Sequence, residues 1–141
     1  MNQFEIIEIL NQKQINQLHT LAKKMWWSND RTLDEINKML ANCLSFGLIH
    51  NDDLIGCARV LTDEIKYAFI FDVIIEEEYR NKGLSKLLME AILDHQKLQQ
   101  ITCFDLTCAP DMVAYYEKLG FSKDFINVVP MRFTKSNSQD E

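Results

Sequence analysis

The stretch Asp72-Val73-Ile74-Ile75-Glu76-Glu77-Glu78-Tyr79-Arg80-Asn81-Lys82-Gly83-Leu84-Ser85-Lys86-Leu87-Leu88-Met89-Glu90 constrains this chain more than any other. An apolar strand runs into an acidic turn, then a short basic loop, then an amphipathic helix with Leu84, Leu87, Leu88, Ala91 and Ile92 on one stripe. A loop that opens a helix presents free backbone N–H groups and the positive end of the helix dipole. Gly83 lets a ligand come close to the backbone, and Arg80, Lys82 and Lys86 add positive charge. The segment therefore suits an anion such as a diphosphate. By itself an Arg-x-x-Gly-x-Ser loop is also an ordinary strand-to-helix turn, since patterns this short arise by chance.

The rest of the chain supplies a context of strands and helices. Phe4 to Ile9 reads as a strand, and Ile15, Leu18, Ala22 and Met25 follow at helical spacing. Trp26-Trp27-Ser28-Asn29-Asp30 interrupts that period as a loop. Thr32 with Glu35 forms a capping box ahead of a helix bearing Leu33, Ile36, Met39, Leu40 and Cys43. Phe46–Ile49 and Leu54–Leu61 are strands joined by the turn Asn51-Asp52-Asp53. Tyr67–Ile75 is nearly all apolar, as a central strand covered on both faces would be. Ile101–Cys108 reads as the next strand, and Pro110 opens a short helix that stops at Gly120. Phe121–Asp124 and Asn127–Phe133 read as a final β pair, and residues 135–141 as a frayed tail. The order β-α-α-β-β-β-α-β-α-β-β predicts an α/β fold: a mixed sheet of about seven strands flanked by about four helices, in a single domain over residues 1–134.

Composition narrows the function classes. The chain has 141 residues, 47% of them hydrophobic, enough to build a core. A formal charge of −6 argues against nucleic acid, whose phosphates require clustered Lys and Arg. The four cysteines, Cys43, Cys57, Cys103 and Cys108, form no C-x-x-C pair and have no histidines at zinc-ligand spacing, so no metal is expected. They read as reduced residues of a cytosolic protein. The first residues lack the pattern of a signal peptide, and no apolar run is long enough to cross a bilayer, so no membrane partner is expected.

The loop from Arg80 to Ser85 resembles the acyl-CoA-binding motif of the GNAT superfamily of N-acetyltransferases, Arg/Gln-x-x-Gly-x-Gly/Ala. Tyr116-Glu117-Lys118-Leu119-Gly120-Phe121 resembles that family's second signature, Tyr-x-x-x-Gly-Phe. The two stand in the family's order. Ser45 to Leu48, Gly56 to Asp63 and Asp72-Val73 further resemble a subfamily of small bacterial members, so the likeness runs from about Trp26 to Phe121. It implies acetyl-CoA as cosubstrate. The amides of Asn81, Lys82, Gly83, Leu84, Ser85 and Lys86, with the Arg80 side chain, would hold its pyrophosphate, and the backbone of Val73, Ile74 and Ile75 its pantetheine arm. The family's sheet splays beside that strand. Its dimers often form through the C-terminal strands, which makes a homodimer an expectation here. This chain departs from the pattern at Ser85, where the family has Gly or Ala, and at Ala109, where many members carry Asn.

Acetyl transfer to an amine requires a neutral amine, a polarised thioester carbonyl and a stabilised leaving thiolate. The resemblance makes Tyr116 the general acid, with Tyr115 about 100° away around its helix. It places a polarising backbone N–H near Ile74 or Ile75. The base is open among Asp72, Glu76 and Asp105. Asp72 is a lone carboxylate within an apolar strand, which marks either a functional group or a structural hydrogen-bonding one. Trp26, Trp27, Phe46, Phe71 and Arg59 are candidate acceptor contacts; one tryptophan is expected to plug the core, and Arg59 either pairs with Asp72 or binds an acidic group. The expected acceptor is an amine on a small molecule or a protein. The rival readings are a non-catalytic acyl-CoA-binding module and a nucleotide binder using the same loop.

Overall fold

The computed structural model describes residues 3–135, which fall into two compact units divided between Thr107 and Cys108. The first unit holds a five-stranded mixed sheet in the order β1-β2-β3-β4-β5. These strands are β1 (Phe4–Ile7), β2 (Leu44–His50), β3 (Asp53–Thr62), β4 (Tyr67–Ile75) and β5 (Cys103–Asp105). The first four pair antiparallel in chain order, and β5 joins β4 in parallel. The turn between β2 and β3 has Asn51 and Asp52 at φ of 52° and 69°, the left-handed pair that a two-residue hairpin requires.

Helices α1 (Gln12–Ala22) and α2 (Leu33–Ala41) pack on one face of the sheet. Leu18, Leu21, Ala22 and Ile36 meet Ile49, Leu54, Cys57 and Ile74 there. The predicted Thr32–Glu35 capping box forms at α2, and a second joins Asn11 and Gln14 at α1. Helix α3 (Leu84–Leu93) buries Leu84, Leu88, Met89 and Ile92 against β2, β3 and β4 from the other side. Phe46 belongs to this second face: it is 2% exposed and meets His95 edge-on, 5.5 Å between ring centres.

The second unit carries a 3-10 turn at Pro110–Met112 and helix α4 (Val113–Lys118). Gly120 ends the helix at φ 102°, as a left-handed C-terminal stop does.

Three expectations require correction. The predicted strand from Ile101 to Cys108 is paired only over Cys103–Asp105. The predicted C-terminal β pair does not form: residues 121–135 have no ladder partner, and Val128, Val129, Met131 and Phe133 are largely exposed. The described sheet therefore has five strands rather than about seven, and the strands on which the expected homodimer rested are absent. Alternating apolar residues show what could pair, whereas a strand also needs a neighbour with free backbone groups. Strand β4 is not covered on both faces either, since Phe69, Phe71 and Val73 are only half-buried. Residues 136–141 of the expected tail lie outside the described residues.

Candidate active site

The site begins where β4 loses its neighbour. Strand β5 pairs with β4 only from Tyr67 to Phe69, opposite Cys103 to Asp105. Among the described residues no strand lies on that side of Ile70 to Ile75. On the β3 side, Cys57 pairs with Ile74 and Arg59 with Phe71, so Ala58 faces both Asp72 and Val73. This is a β-bulge, with the extra residue on β4 and Asp72 at φ 56°. The bulge bends β4 where Val73, Ile74 and Ile75 begin.

From Ile75 the chain makes a 3-10 turn at Glu77–Tyr79 and enters the basic loop. Arg80 Nε donates to the Ile75 carbonyl at 2.9 Å, so the arginine ties the loop to the strand end as well as supplying charge. Asn81 and Gly83 take φ of 64° and 76°. Gly83 is the N-cap of α3 and gives no side-chain cap, and a Cβ built there would meet nothing within 4 Å. The first turn of α3 is thus open above Gly83. Lys82 and Lys86 are exposed and have no ion-pair partner among the described residues. An uncapped helix start with two adjacent lysines fits a diphosphate. The structure places all ten residues expected at the acyl-CoA site, Val73 to Ile75 and Arg80 to Lys86, along one continuous strand-loop-helix path.

Asp72 is the hub of a charged cluster. Its carboxylate accepts from Arg31 Nη1 at 2.8 Å, Arg59 Nε at 2.7 Å and Trp27 Nε1 at 3.0 Å. Its backbone carbonyl accepts from Cys57 Sγ at 3.5 Å. Burial alone would raise the Asp72 pKa, but hydrogen bonds and charge from the two arginines overcome it and hold the carboxyl below its ordinary 3.8. A carboxylate with three donors and a depressed pKa is a poor proton acceptor. Arg59 takes up the first of its two expected roles through Nε alone, as a partner of Asp72, and it also lies 4.7 Å over the Phe71 ring. Arg31, which sequence reasoning missed, comes from the segment between α1 and α2; only its position before the Thr32 cap hinted that it is fixed in place.

The other candidates separate. Glu76 pairs with Lys24, and its N–H donates to the Ile55 carbonyl at 2.7 Å. Asp105 sits opposite Phe69 beside an open groove with Leu61, Asp63 and Tyr67, without a hydrogen-bond or ion-pair partner among the described residues. Trp26 is 71% and Trp27 40% exposed, so neither plugs the core as one was expected to. Phe46 does not join the two tryptophans; it is buried against His95 and lines a cavity with Arg31, Arg59 and Asp72. In the second unit, Tyr116 contacts Tyr115 and Phe121 edge-on, at 5.1 and 5.9 Å between ring centres. Burial, with smaller contributions from Tyr115 and Cys108, pushes the Tyr116 hydroxyl up to about 12. No cluster of three or more His, Cys, Asp or Glu side chains arranged to hold a metal occurs among the described residues. Nor is any described helix long and apolar enough to cross a membrane.

Comparison with known proteins identifies the family and the fold. Residues 12–121 match the family model described as the acetyltransferase (GNAT) family. An uncharacterized N-acetyltransferase, ycf52, from Pyropia yezoensis is 31% identical over 86% of this chain and 74% of its own length. A crystal structure from Xanthomonas campestris pv. campestris, assigned to the same family, superposes with a TM-score of 0.81 at 26% identity, covering 95% of each chain. An aminoglycoside N-acetyltransferase solved in complex with CoA shares the fold, with a TM-score of 0.67 at 14% identity over 96% of this chain and 95% of its own.

Proposed function

This chain belongs to the GNAT acetyltransferase family, and from that premise we propose that it transfers an acetyl group from acetyl-CoA to a primary amine by direct attack in a ternary complex. The observation that carries the reading is the unpaired side of β4 running into the uncapped start of α3. Acetyl-CoA supplies an activated thioester and three phosphate groups. The amides from Asn81 to Lys86, with Lys82, Lys86 and the free nitrogens of Arg80, would hold the pyrophosphate. The Val73–Ile75 backbone would receive the pantetheine arm as an added strand, and one of its N–H groups would polarise the carbonyl.

Two roles follow from the charges. A tyrosine near 12 stays protonated at neutral pH, while a thiol titrates at about 8.5. Full proton transfer from Tyr116 to a thiolate is therefore uphill, and hydrogen-bond donation to the departing sulfur is the role we assign it. Of the three carboxylates considered as base, Asp72 is saturated and Glu76 is paired, which leaves Asp105. It stands opposite Phe69, four residues before Val73, so a water would have to relay the proton. Four free thiols suit the reducing cytosol we propose as its compartment.

The test is CoA release from acetyl-CoA across a panel of primary amines, with and without protein. Amine-dependent release above background supports the reading. Saturable acetyl-CoA binding with no release by any amine would instead favour a non-catalytic acyl-CoA-binding module.

A further inference from the structure

The charged cluster beside the bulge does not balance. Two guanidinium groups, Arg31 and Arg59, share one carboxylate, Asp72, which leaves one positive charge in excess. The cluster is largely buried, with side-chain exposures of 21% for Arg31, 17% for Arg59 and 10% for Asp72, so water screens that charge only in part. The two arginines differ in how they engage. Arg31 sends both Nη atoms toward Asp72, at 2.8 and 3.5 Å. Arg59 uses Nε alone, and among the described residues no acceptor meets its Nη1 or Nη2.

That free fork is fixed in direction. Asp72 holds one edge of the Arg59 guanidinium, and the Phe71 ring supports its face at 4.7 Å. Phe71 in turn stacks on Phe69 at 4.5 Å. Arg59 and Phe71 are cross-strand partners, so both lie directly beside the bulge at Asp72 and Val73, where the proposed acyl-CoA slot begins. A planar, pre-oriented pair of N–H donors carrying uncompensated charge matches a carboxylate.

We infer that the acceptor carries a carboxylate next to its reactive amine, as a free amino acid does, and that the unpaired Nη1 and Nη2 of Arg59 bind it. The inference rests on the proposed acetyl-transfer reading, because it takes the end of the slot at the bulge as the place where the amine arrives. It selects amino-acid-type small molecules over lysine side chains of proteins, which have no neighbouring carboxylate.

The experiment compares L-leucine, L-methionine and L-phenylalanine with their carboxamides, which keep the amine and lose the charge. Binding is read by saturation-transfer NMR without acetyl-CoA, and turnover by CoA release with it. The wild-type protein should favour acids over amides at least ten-fold in kcat/KM and show saturation transfer to the acids alone. Arg59→Lys keeps a charge for Asp72 and loses the fork, so the preference should fall to near parity with the fold intact by circular dichroism. Phe71→Leu, which leaves every charge in place, should weaken the preference less. Equal use of acids and amides, or a preference unchanged in Arg59→Lys, overturns the inference while amine-dependent CoA release leaves the acetyl-transfer reading standing. If no CoA is released, that reading fails, and the NMR comparison alone decides whether the fork binds carboxylates.

Discussion

Replacing Asp72 by Asn tests whether the bulge is held by charge. Asn keeps the shape and tolerates the left-handed φ of 56°, so backbone strain does not confound the result. What is lost is the negative charge facing Arg31 and Arg59 at 2.8 and 2.7 Å. Breaking a fully buried ion pair costs about 3–5 kcal/mol. Here the arginine side chains retain 21% and 17% exposure, so water takes up part of the loss and about 2–3 kcal/mol is expected. For a chain of this length that is roughly 6–10 °C in Tm. The pH dependence has a definite sign. Because folding lowers the Asp72 pKa, its contribution is complete above 3.8 and is lost as pH falls through the lower folded value. The gap between wild type and Asp72→Asn in urea unfolding should be full at pH 7 and narrow as pH falls below 3.8, since the other carboxylates titrate alike in both proteins. A gap under about 0.5 kcal/mol at pH 7, the range of a neutral surface change, or one equally large at pH 3, would show that charge does not hold the bulge.

Two further expectations concern the tyrosine and the thiols. Tyr116→Phe should lower kcat about 10²-fold, the loss typical of one hydrogen-bond donor to developing charge, and leave acetyl-CoA affinity unchanged; a parallel loss of affinity in a binding titration would contradict a role confined to the chemical step. The buried Cys57 thiol, pushed up to about 12 mainly by burial and then by the Asp72 charge, should resist a thiol reagent in the native protein, whereas exposed Cys108 should react at once. Rapid labelling of Cys57, located by peptide mapping, would contradict the packing around the bulge.

Local chemistry made much of this fold legible in the sequence. The capping box at Thr32 and Glu35, the turn at Asn51 and Asp52, and the glycine at the start of α3 each follow from what a few neighbouring residues can bond. The same local logic marked the proposed acyl-CoA path, because that path is one continuous segment. It failed where pairing across space decides. Residues 127–133 are rich in strand-favouring apolar residues, yet no ladder forms around them, and β5 stops after Asp105. The Asp72 cluster was visible only in part. A lone carboxylate in an apolar strand demands partners, and Arg59 was a natural one, but Arg31 and Trp27 lie 41 and 45 residues away along the chain and arrive through a loop with no regular period. The left-handed backbone at Asp72 had no signal, since nothing in Phe71-Asp72-Val73 marks a bulge.

Whether the unpaired side of β4 and the start of α3 form an acyl-CoA site is tested most directly by a calorimetric titration of the protein with acetyl-CoA, CoA and ATP. Saturable one-to-one binding of acetyl-CoA and CoA is expected, with none of ATP over the same range. At about 100 times its dissociation constant acetyl-CoA should add roughly 2.7 kcal/mol to stability. Absence of acetyl-CoA binding, or binding that ATP displaces equally well, would contradict such a site and return the Arg80–Lys86 loop to an ordinary turn between a strand and a helix.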